Sequence, residues 1–355
     1  MVASVRLRFL TSTPLDIQRG SGTYVGMHVL ARALQGLGHQ VEFRTPRVHL
    51  PVYTAERLLF NRLLRAEVGF DVTVGFDMDG YRVADVAALK GVIADEVRFE
   101  AGLTRFTMGI QARCERLHVQ RARQVLVTSR YSAERATQLY GLRRPPVVVP
   151  ELIDVAEWRT WLQRHPAVSP RFTVLYVGRL YRRKRVDVLL RAAAIARDRI
   201  PELEVRVVGN GPCVLDLRAL ARQLRLEKTV TWLGDVSRST LGEEYNRATV
   251  FCLPSVQEGF GIVLLEAMAA GRPIIASRAA AIPEVAPHAF LVEPASAEAL
   301  AVAIESLGRS PEARTAQAAA GAPWVEQFDA PRVARLFLEA VAHPDLLVRQ
   351  RDREG

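Results

Sequence analysis

Cysteine is scarce in this chain, which has only three in 355 residues. The three are odd in number, far apart and without the spacing of metal ligands, so they argue against a disulfide framework and favour a reducing compartment. No apolar run approaches the length that spans a bilayer, and Arg6 and Arg8 interrupt the first strand-like segment, where a signal sequence would be apolar. We therefore expect a cytoplasmic protein, with peripheral contact at the inner membrane face left open.

Lysine is also rare, because only Lys90, Lys184 and Lys228 are lysines among 48 basic residues. A net charge of +10 would suit a nucleic acid or an anionic membrane, and the arginines between residues 113 and 123 form a basic patch on a predicted helix. Neither interleaved aromatic residues nor the signature of a nucleic-acid fold accompanies the patch, so no nucleic-acid partner is expected. A solvated helix face and attachment to an anionic membrane both remain open interpretations.

The chain is long enough for two domains, and 49% of its residues are hydrophobic. Two halves each begin with a strand and continue by alternation of strands and helices, which predicts α/β folding with parallel sheets covered by helices. We expect one domain over residues 1–155, a second over 156–330, and a terminal helix from about 331 that crosses back to the first. Buried strands are predicted in the first half at 5–11, 40–44, 72–76, 91–94, 125–128 and 147–149. Ligands of such sheets bind outside the carboxyl ends of the strands, so chemistry is expected in a cleft between the domains.

The most informative segment runs from Glu258 to Glu266 and places two carboxylates around a glycine-rich turn that leads into an apolar helix. Gly259 and Gly261 let the backbone approach a ligand closely, and the first amides of the helix can hold phosphate oxygens. The first carboxylate is placed to reach a sugar and the second a ribose. The pattern therefore indicates a nucleotide-sugar site. The alternative is that one glutamate only favours the helix amino terminus and the other lies on a solvated face.

Two cations follow the strand predicted at 173–177. Arg179 lies directly beyond the strand end, and Lys184 can begin the next helix, so both are placed to neutralise a diphosphate leaving group. In the first half, the turn that contains Gly20 and Gly22 joins the first strand to the first helix and can bring backbone amides to the same diphosphate. A plain basic loop and a plain glycine turn are the alternatives.

Acidic residues lie at two predicted strand ends of the first half. Asp77 and Asp79 form an Asp-x-Asp pair, which some sugar-transferring enzymes use for a metal, but its place away from the expected donor site favours recognition of acceptor hydroxyls. Asp95 and Glu96 receive the same interpretation. An ordinary acidic loop is the alternative for both pairs. His118 falls in the middle of a predicted helix, where a structural role is favoured over catalysis.

Taken together, these segments resemble the retaining glycosyltransferases of family four, which have two Rossmann-like domains facing across a cleft, the GT-B architecture. The resemblance is strongest between residues 177 and 285, and weaker similarity covers nearly the whole chain. It is carried by five segments: Val177-Gly-Arg-Leu180, Val208-Gly-Asn-Gly-Pro212, Leu253-Pro-Ser255, Glu258-Gly-Phe-Gly-Ile-Val-Leu-Leu-Glu-Ala-Met-Ala-Ala-Gly271 and Ile282-Pro-Glu-Val285.

The resemblance implies transfer of a sugar from a nucleotide-diphosphate sugar to an acceptor hydroxyl, with retention of the anomeric configuration and without a metal or other cofactor. It implies that Arg179 and Lys184 bind the diphosphate and that Glu266 binds the ribose. Val236 would lie near the base. The donor sugar and phosphate would be held by Glu258 and by the backbone of Gly259, Phe260, Gly261, Ile262 and Val263.

The chain departs from the family pattern in two places, one near the diphosphate and one on the acceptor side. Arg185 stands where a glycine often follows the motif lysine, which would crowd the phosphate side or add charge there. Asp95 and Glu96 stand where many members carry a histidine that contacts donor sugar or acceptor. Other functions left open are a nucleotide-sugar epimerase, a phosphorylase, a non-catalytic binding module of the same fold and a binder of anionic polymers.

Overall fold

The computed structural model describes residues 4–13, 22–200 and 202–341. The chain divides into two compact units. The first consists of the residues up to Leu152 together with those from Ala330 onward, and the second of Ile153–Asp329. Each unit is an α/β structure around its own parallel six-stranded sheet. The predicted α/β class is thereby confirmed.

The first unit has its sheet in the order β2-β1-β3-β4-β5-β6, with parallel pairing at every junction. Its strands are β1 (Arg6–Leu10), β2 (Gln40–Arg44), β3 (Val72–Phe76), β4 (Val86–Leu89), β5 (Gln124–Val127) and β6 (Val147–Val148). The helices that alternate with them are α1 (Gly22–Gly36), α2 (Tyr53–Leu63), α3 (Ile93–Glu96), α4 (Gly102–Arg121) and α5 (Arg130–Tyr140). Every residue of β3 and β4 is buried, as expected for strands covered on both faces.

The second unit has its sheet in the order β12-β11-β10-β7-β8-β9, again with parallel pairing. Its strands are β7 (Phe172–Val177), β8 (Leu203–Val208), β9 (Val230–Gly234), β10 (Val250–Leu253), β11 (Ile274–Ser277) and β12 (Phe290–Val292). Its helices are α6 (Val155–Arg164), α7 (Val186–Ala196), α8 (Val214–Gln223), α9 (Arg238–Arg247), α10 (Ile262–Ala269), α11 (Ile282–Val285), α12 (Ala297–Arg309) and α13 (Pro311–Trp324). Short 3₁₀ turns lie at Val97–Phe99, Arg182–Lys184 and Val325–Phe328.

The last described helix, α14 (Ala330–Val341), belongs to the first unit although it follows the second in the chain. Phe337 of this helix packs against Phe9 of β1, with ring centroids 5.9 Å apart, and Phe9 in turn contacts Phe76 of β3 at 5.1 Å. The core of the first unit is therefore assembled from residues more than 300 positions apart in the chain.

Local sequence explains where several helices begin. The first turn of an α-helix leaves amides without intrahelical partners, and a short polar side chain just before the helix satisfies one of them. This capping occurs at the starts of α5, α6, α9, α12 and α13, through Ser129, Asp154, Ser237, Ser296 and Ser310.

Both sheets reverse their strand order at one place, which is where ligands bind in open parallel sheets. In the second unit this switch point lies between β7 and β10, and the loops that leave it carry Arg179, Lys184 and Glu258. In the first unit it lies between β1 and β3, and the loop after β3 carries Asp77 and Asp79.

The predicted strands at 40–44 and 72–76 have the observed bounds, but the strand predicted at 91–94 is wrong. The fourth strand lies earlier, at Val86–Leu89, and residues 93–96 form α3. Asp95 and Glu96 consequently lie in a short helix and not at a strand end. Within the described ranges, no helix is long and apolar enough to cross a membrane.

Candidate active site

The loops after β7, β8 and β10 pack closely in the second unit. Gly209 has φ +115°, and a Cβ atom added there would lie 2.1 Å from the carbonyl oxygen of Gly178. Only glycine tolerates both this conformation and this approach, so the turn after β8 supports the turn that presents Arg179. The amide of Val256 donates to the carbonyl of Arg183 over 2.9 Å, which joins the loop after β10 to the same turn.

Lys184 and Glu258 form a direct ion pair in this loop cluster. The Nζ atom of Lys184 lies 2.6 Å from each carboxylate oxygen of Glu258, and the hydroxyl of Ser255 donates to Oε1 over 2.8 Å. The side chain of Lys184 is 15% exposed and that of Glu258 is 7% exposed. A cation that the sequence assigns to diphosphate binding therefore lies beside the carboxylate that it assigns to the donor sugar.

Arg185 adopts the left-handed conformation, with φ 51°, at the position where the resembled family often has glycine. A non-glycine residue pays for this conformation in local strain. The guanidinium turns to Asp187, with two hydrogen bonds of 3.0 Å. The carboxylate of Asp187 therefore neutralises the charge that Arg185 was expected to add on the phosphate side.

Arg179 is half-buried beyond the end of β7. Its carbonyl accepts from the hydroxyl of Tyr176 over 3.2 Å, which fixes the backbone at this point. Within the part of the chain that the structure describes, its guanidinium has no hydrogen-bond or ion-pair partner. It is available to an anion in a way that Lys184 is not.

The amino end of α10 follows Gly261, whose φ of +91° belongs to the left-handed region. Helix geometry leaves the amides of Ile262 and Val263 without intrahelical acceptors, which makes this end suited to an anion. Gly259 precedes this turn and is buried. The side chain of Phe260 has a different task, because it packs edge to face on Phe328 at 5.4 Å.

Glu266 lies one turn inside α10 and is buried. Its Oε2 accepts a hydrogen bond of 2.7 Å from the hydroxyl of Tyr245, and its carbonyl accepts one of 3.1 Å from the indole of Trp158. Burial raises the pKa of Glu266 from 4.5 to about 7, although the bond from Tyr245 and the charge of Arg238 oppose this rise. Its charge thus changes near neutral pH. Val236 lies two residues beyond β9 and is partly buried.

The acidic residues of the first unit are mostly occupied by internal partners. Asp79 is fully buried and accepts hydrogen bonds from the amide and hydroxyl of Ser12 at 2.7 and 2.6 Å, from Asn61 at 2.9 Å and from Arg57 at 3.2 Å. Asp95, also fully buried, accepts from Tyr131, Arg135 and Arg98. Both carboxylates therefore hold the unit together.

Asp77 differs from these two because it is half-buried. Its Oδ1 accepts from the amide of Lys90 over 2.8 Å, and burial raises its pKa to about 6 against the opposing charge of Arg57. His118 is bound through Nδ1 to the carbonyl of Asp77 at 2.7 Å, which agrees with a structural role for this histidine. Glu96 is also half-buried, beside Gly91. Of the turn predicted to bind phosphate in this unit, Gly20 lies outside the described residues and Gly22 is the first residue of α1.

Sequence reasoning missed several side-chain partners that the structure shows. It did not name Tyr245 or Ser255, which hold the two glutamates, and it did not foresee the ion pair between Lys90 and Glu151 at 2.8 Å. The rarity of lysine could have marked these positions, since Lys90 and Lys184 both lie in largely buried ion pairs. Among the described residues, no three His, Cys, Asp or Glu side chains are grouped as metal ligands would be.

Comparison with solved structures defines the class of fold. The sucrose-phosphate synthase of Thermosynechococcus elongatus superposes with a TM-score of 0.78 at 20% identity, over 99% of this chain and 100% of the other. WaaG, a glycosyltransferase involved in lipopolysaccharide biosynthesis, superposes with a TM-score of 0.76 at 21% identity, over 95% of this chain and 99% of WaaG. At such identities the likeness concerns the fold, which is that of GT-B proteins.

The sequence comparisons point in the same direction. Residues 159–324 match the model of glycosyl transferases group 1. A D-inositol 3-phosphate glycosyltransferase of Pseudarthrobacter chlorophenolicus is 32% identical over 232 residues, which are 62% of this chain and 55% of that protein. A GDP-mannose-dependent alpha-(1-6)-phosphatidylinositol monomannoside mannosyltransferase of Mycobacterium tuberculosis is 30% identical over 217 residues, 57% and 56% of the two chains. The chain spans about half the length of the curated relatives it matches. The resemblance noted from the motifs is confirmed.

Proposed function

We propose that the protein is a retaining glycosyltransferase that moves a sugar from a nucleoside-diphosphate sugar to a hydroxyl group of an acceptor. The observation that carries this proposal is the cluster at the switch point of the second sheet, where Arg179, Lys184, Glu258 and the amino end of α10 lie on neighbouring loops. The cluster falls inside the segment that matches glycosyl transferases group 1.

Each group has a distinct task in this proposal. Arg179, Lys184 and the first amides of α10 neutralise the diphosphate, Glu266 accepts hydrogen bonds from the ribose, and Glu258 accepts them from the sugar. In this proposal Val236 contacts the base. No metal is required, because the two cations and the helix end supply the positive charge that the leaving group needs.

The reaction exchanges one bond at the anomeric carbon for another on the same face. The bond from this carbon to the phosphate oxygen breaks as the acceptor oxygen forms its bond, and the acceptor proton passes to the departing phosphate. Removing one cation from such a site costs on the order of a hundredfold or more in rate.

The relatives suggest which substrates to try first. The two curated proteins named above act, by their names, on D-inositol 3-phosphate and on a phosphatidylinositol mannoside, the latter with GDP-mannose as donor. We propose a GDP- or UDP-linked hexose as donor and a polyol such as an inositol phosphate or its lipid as acceptor. Asp77 is better placed than Asp79 and Asp95 to recognise acceptor hydroxyls, since those two residues are fully buried.

A thermal-shift screen tests the donor site. UDP, GDP, ADP and their common sugar conjugates are compared on the wild type, on Glu266→Gln and on the control Glu227→Gln, which changes an exposed glutamate of the same unit. We expect one nucleotide series to stabilise the wild type and the control, and this stabilisation to vanish in Glu266→Gln. Absence of a shift from every compound on folded protein would contradict the proposal. Donor turnover with a polyol then separates a transferase from a binding module.

We further propose that α4 brings the protein to an anionic membrane at the cytoplasmic face, the compartment that the few scattered cysteines favour. Leu103 and Phe106 of this helix are 76% and 67% exposed. Together with Ile110 and Leu117 they follow helical spacing and form one apolar stripe. The neighbouring arginines of α4 at positions 105, 113 and 116 are exposed as well. An apolar stripe beside basic residues is typical of helices that lie in a membrane interface.

Vesicle sedimentation tests this contact. The wild type should sediment with vesicles that contain phosphatidylinositol or phosphatidylserine, less at high salt, and poorly when Leu103 and Phe106 are both changed to serine. The matched control changes two exposed apolar residues of the second unit, Leu215 and Val302, to serine. Equal sedimentation of both double variants would contradict a role for α4.

A further inference from the structure

The ion pair between Lys184 and Glu258 has a consequence for which ligands the site accepts. Both carboxylate oxygens of Glu258 lie 2.6 Å from the ammonium nitrogen of Lys184. They take the positions that the oxygens of an anionic ligand would otherwise take. Resting on the proposed function, we propose that this pair makes the site distinguish an intact nucleotide-sugar from the nucleoside diphosphate that remains after transfer.

The ammonium group of Lys184 carries three protons and Glu258 takes two of them, so free diphosphate gains full use of Lys184 only by separating the pair. Glu258, with its side chain 7% exposed, would then keep only the hydroxyl of Ser255 as a hydrogen-bond donor within the described ranges. A buried carboxylate that loses a cationic partner is strongly penalised, because neither water nor another donor replaces the lost bonds. The negative diphosphate nearby adds repulsion. The pair therefore opposes the binding of free diphosphate.

The intact donor brings its own replacement for the lost bonds. Its sugar carries hydroxyl groups, which donate hydrogen bonds to a carboxylate in place of the ammonium group. Diphosphate then pairs with Lys184 while the sugar pairs with Glu258, and no buried charge is left without partners. After transfer the sugar has gone, and the return of Glu258 to Lys184 favours release of the diphosphate.

The backbone around the pair indicates that this exchange occurs in place. The amide of Lys184 donates to the carbonyl of Tyr181 over 3.0 Å, and the carbonyl of Glu258 accepts from the amide of Ala281 over 3.3 Å. Val256 and Arg183 join the two loops directly. Because both side chains are anchored on joined loops, the carboxylate remains next to any anion that binds Lys184.

Calorimetric binding to the full chain tests the inference, with GDP and GDP-mannose, or UDP and UDP-glucose where the thermal-shift screen selects uridine. The quantity compared is the ratio of the two dissociation constants, free diphosphate over intact donor. In Glu258→Gln we expect free diphosphate to bind about tenfold more tightly than in the wild type and the intact donor to bind more weakly, so the ratio falls by more than tenfold.

Two further variants sharpen the test. Ser255→Ala removes the hydroxyl donor that Glu258 would retain beside free diphosphate, so the ratio should rise, opposite to the effect of Glu258→Gln. Glu305→Gln is the matched control, since Glu305 is a largely buried carboxylate paired with Arg199 at 2.8 Å outside these loops, and its ratio should equal that of the wild type.

The outcomes separate this inference from the proposed function. If the wild type binds both compounds and Glu258→Gln weakens both by a similar factor, Glu258 is an ordinary contact and the inference is overturned. If Glu258→Gln does not fold, an unchanged or lower ratio in Ser255→Ala overturns it equally. If the wild type binds neither compound, the proposed donor site itself is wrong.

Discussion

The hydroxyl of Tyr245 donates a hydrogen bond of 2.7 Å to Oε2 of Glu266, across 21 residues of sequence. Tyr245 comes from α9 and Glu266 from α10, and Trp158 of α6 contacts both, through its ring and through its indole N–H. The bond favours the charged form of Glu266 against the burial that disfavours it. Tyr245 is therefore a positioning residue for the group that we assign to the ribose.

Replacing Tyr245 by phenylalanine should weaken donor binding and shift its pH dependence. Ribose hydroxyls donate to the ionised carboxylate, so in the wild type affinity should rise as the pH increases through about 7, the pKa of Glu266. Without the tyrosine hydroxyl this pKa rises further, and the midpoint moves to higher pH. Nucleotide dissociation constants between pH 6 and 9 measure the midpoint. A uniform loss of affinity with an unchanged midpoint would contradict the assignment.

Glu266 should also make stability depend on pH. Its pKa is raised in the folded state from 4.5 to about 7, so the folded state holds this proton more tightly than the unfolded state does. The contribution to stability is full below about pH 4.5 and is lost as the pH rises through 7, by about 3 kcal/mol in total. Denaturant unfolding of the wild type and Glu266→Gln at pH 5 and pH 8 measures it. We expect the variant to gain stability relative to the wild type on going from pH 5 to pH 8. If the two proteins differ equally in free energy of unfolding at both pH values, the raised pKa of Glu266 is contradicted.

Asp79→Asn should destabilise the first unit severely. The substitution leaves the guanidinium of Arg57 buried beside a neutral group, and removal of one partner of a buried pair costs about 3–5 kcal/mol. Glu326→Gln is the matched control, because the pair of Glu326 with Arg159 is about half exposed and such pairs contribute about 0–1 kcal/mol. Chemical denaturation of both variants gives the comparison, and similar losses would show that the buried network contributes little.

Gly209→Ala should impair nucleotide binding. Its new methyl group would meet the carbonyl oxygen of Gly178, 2.1 Å away, and φ +115° is unfavourable for alanine. The turn that carries Arg179 must then move. Gly109→Ala is the control, since that glycine lies inside α4 with nothing within 4 Å, and alanine there should stabilise the helix by about 0.5–1 kcal/mol. Thermal shifts with and without nucleotide distinguish lost binding from lost stability, and unaltered binding in Gly209→Ala would contradict the role of this contact.

The sequence predicts the switch-point loops of the second unit well, because strand ends marked by glycine and charge are local features. Lys184 and Glu258 could each be predicted as donor-site residues from such features. Their pairing could not, since the two residues are 74 positions apart and meet only through the tertiary fold. The same holds for the buried network around Asp79, which looks in sequence like an exposed acidic loop.

The wrong strand at 91–94 has a simple cause. Val92 and Ile93 are β-branched and so favour a strand, whereas the true strand Val86–Leu89 contains two alanines, which favour helices. Burial between neighbouring strands decides the outcome, since all four residues of β4 are buried. Local propensity was overridden by packing.

The position of α14 at the end of the described chain implies that the second unit can fold before the first unit during synthesis. The first unit has its interior completed by Val333 and Phe337, which leave the ribosome only after the whole second unit has been made. The second unit is continuous in sequence, and its two ends meet where Ile153 pairs with Asp329. The second unit can therefore form its own core first. Until α14 has been synthesised, the strands of the first unit keep part of their apolar surface exposed. Apolar surface that stays exposed for such an interval favours aggregation of a nascent chain.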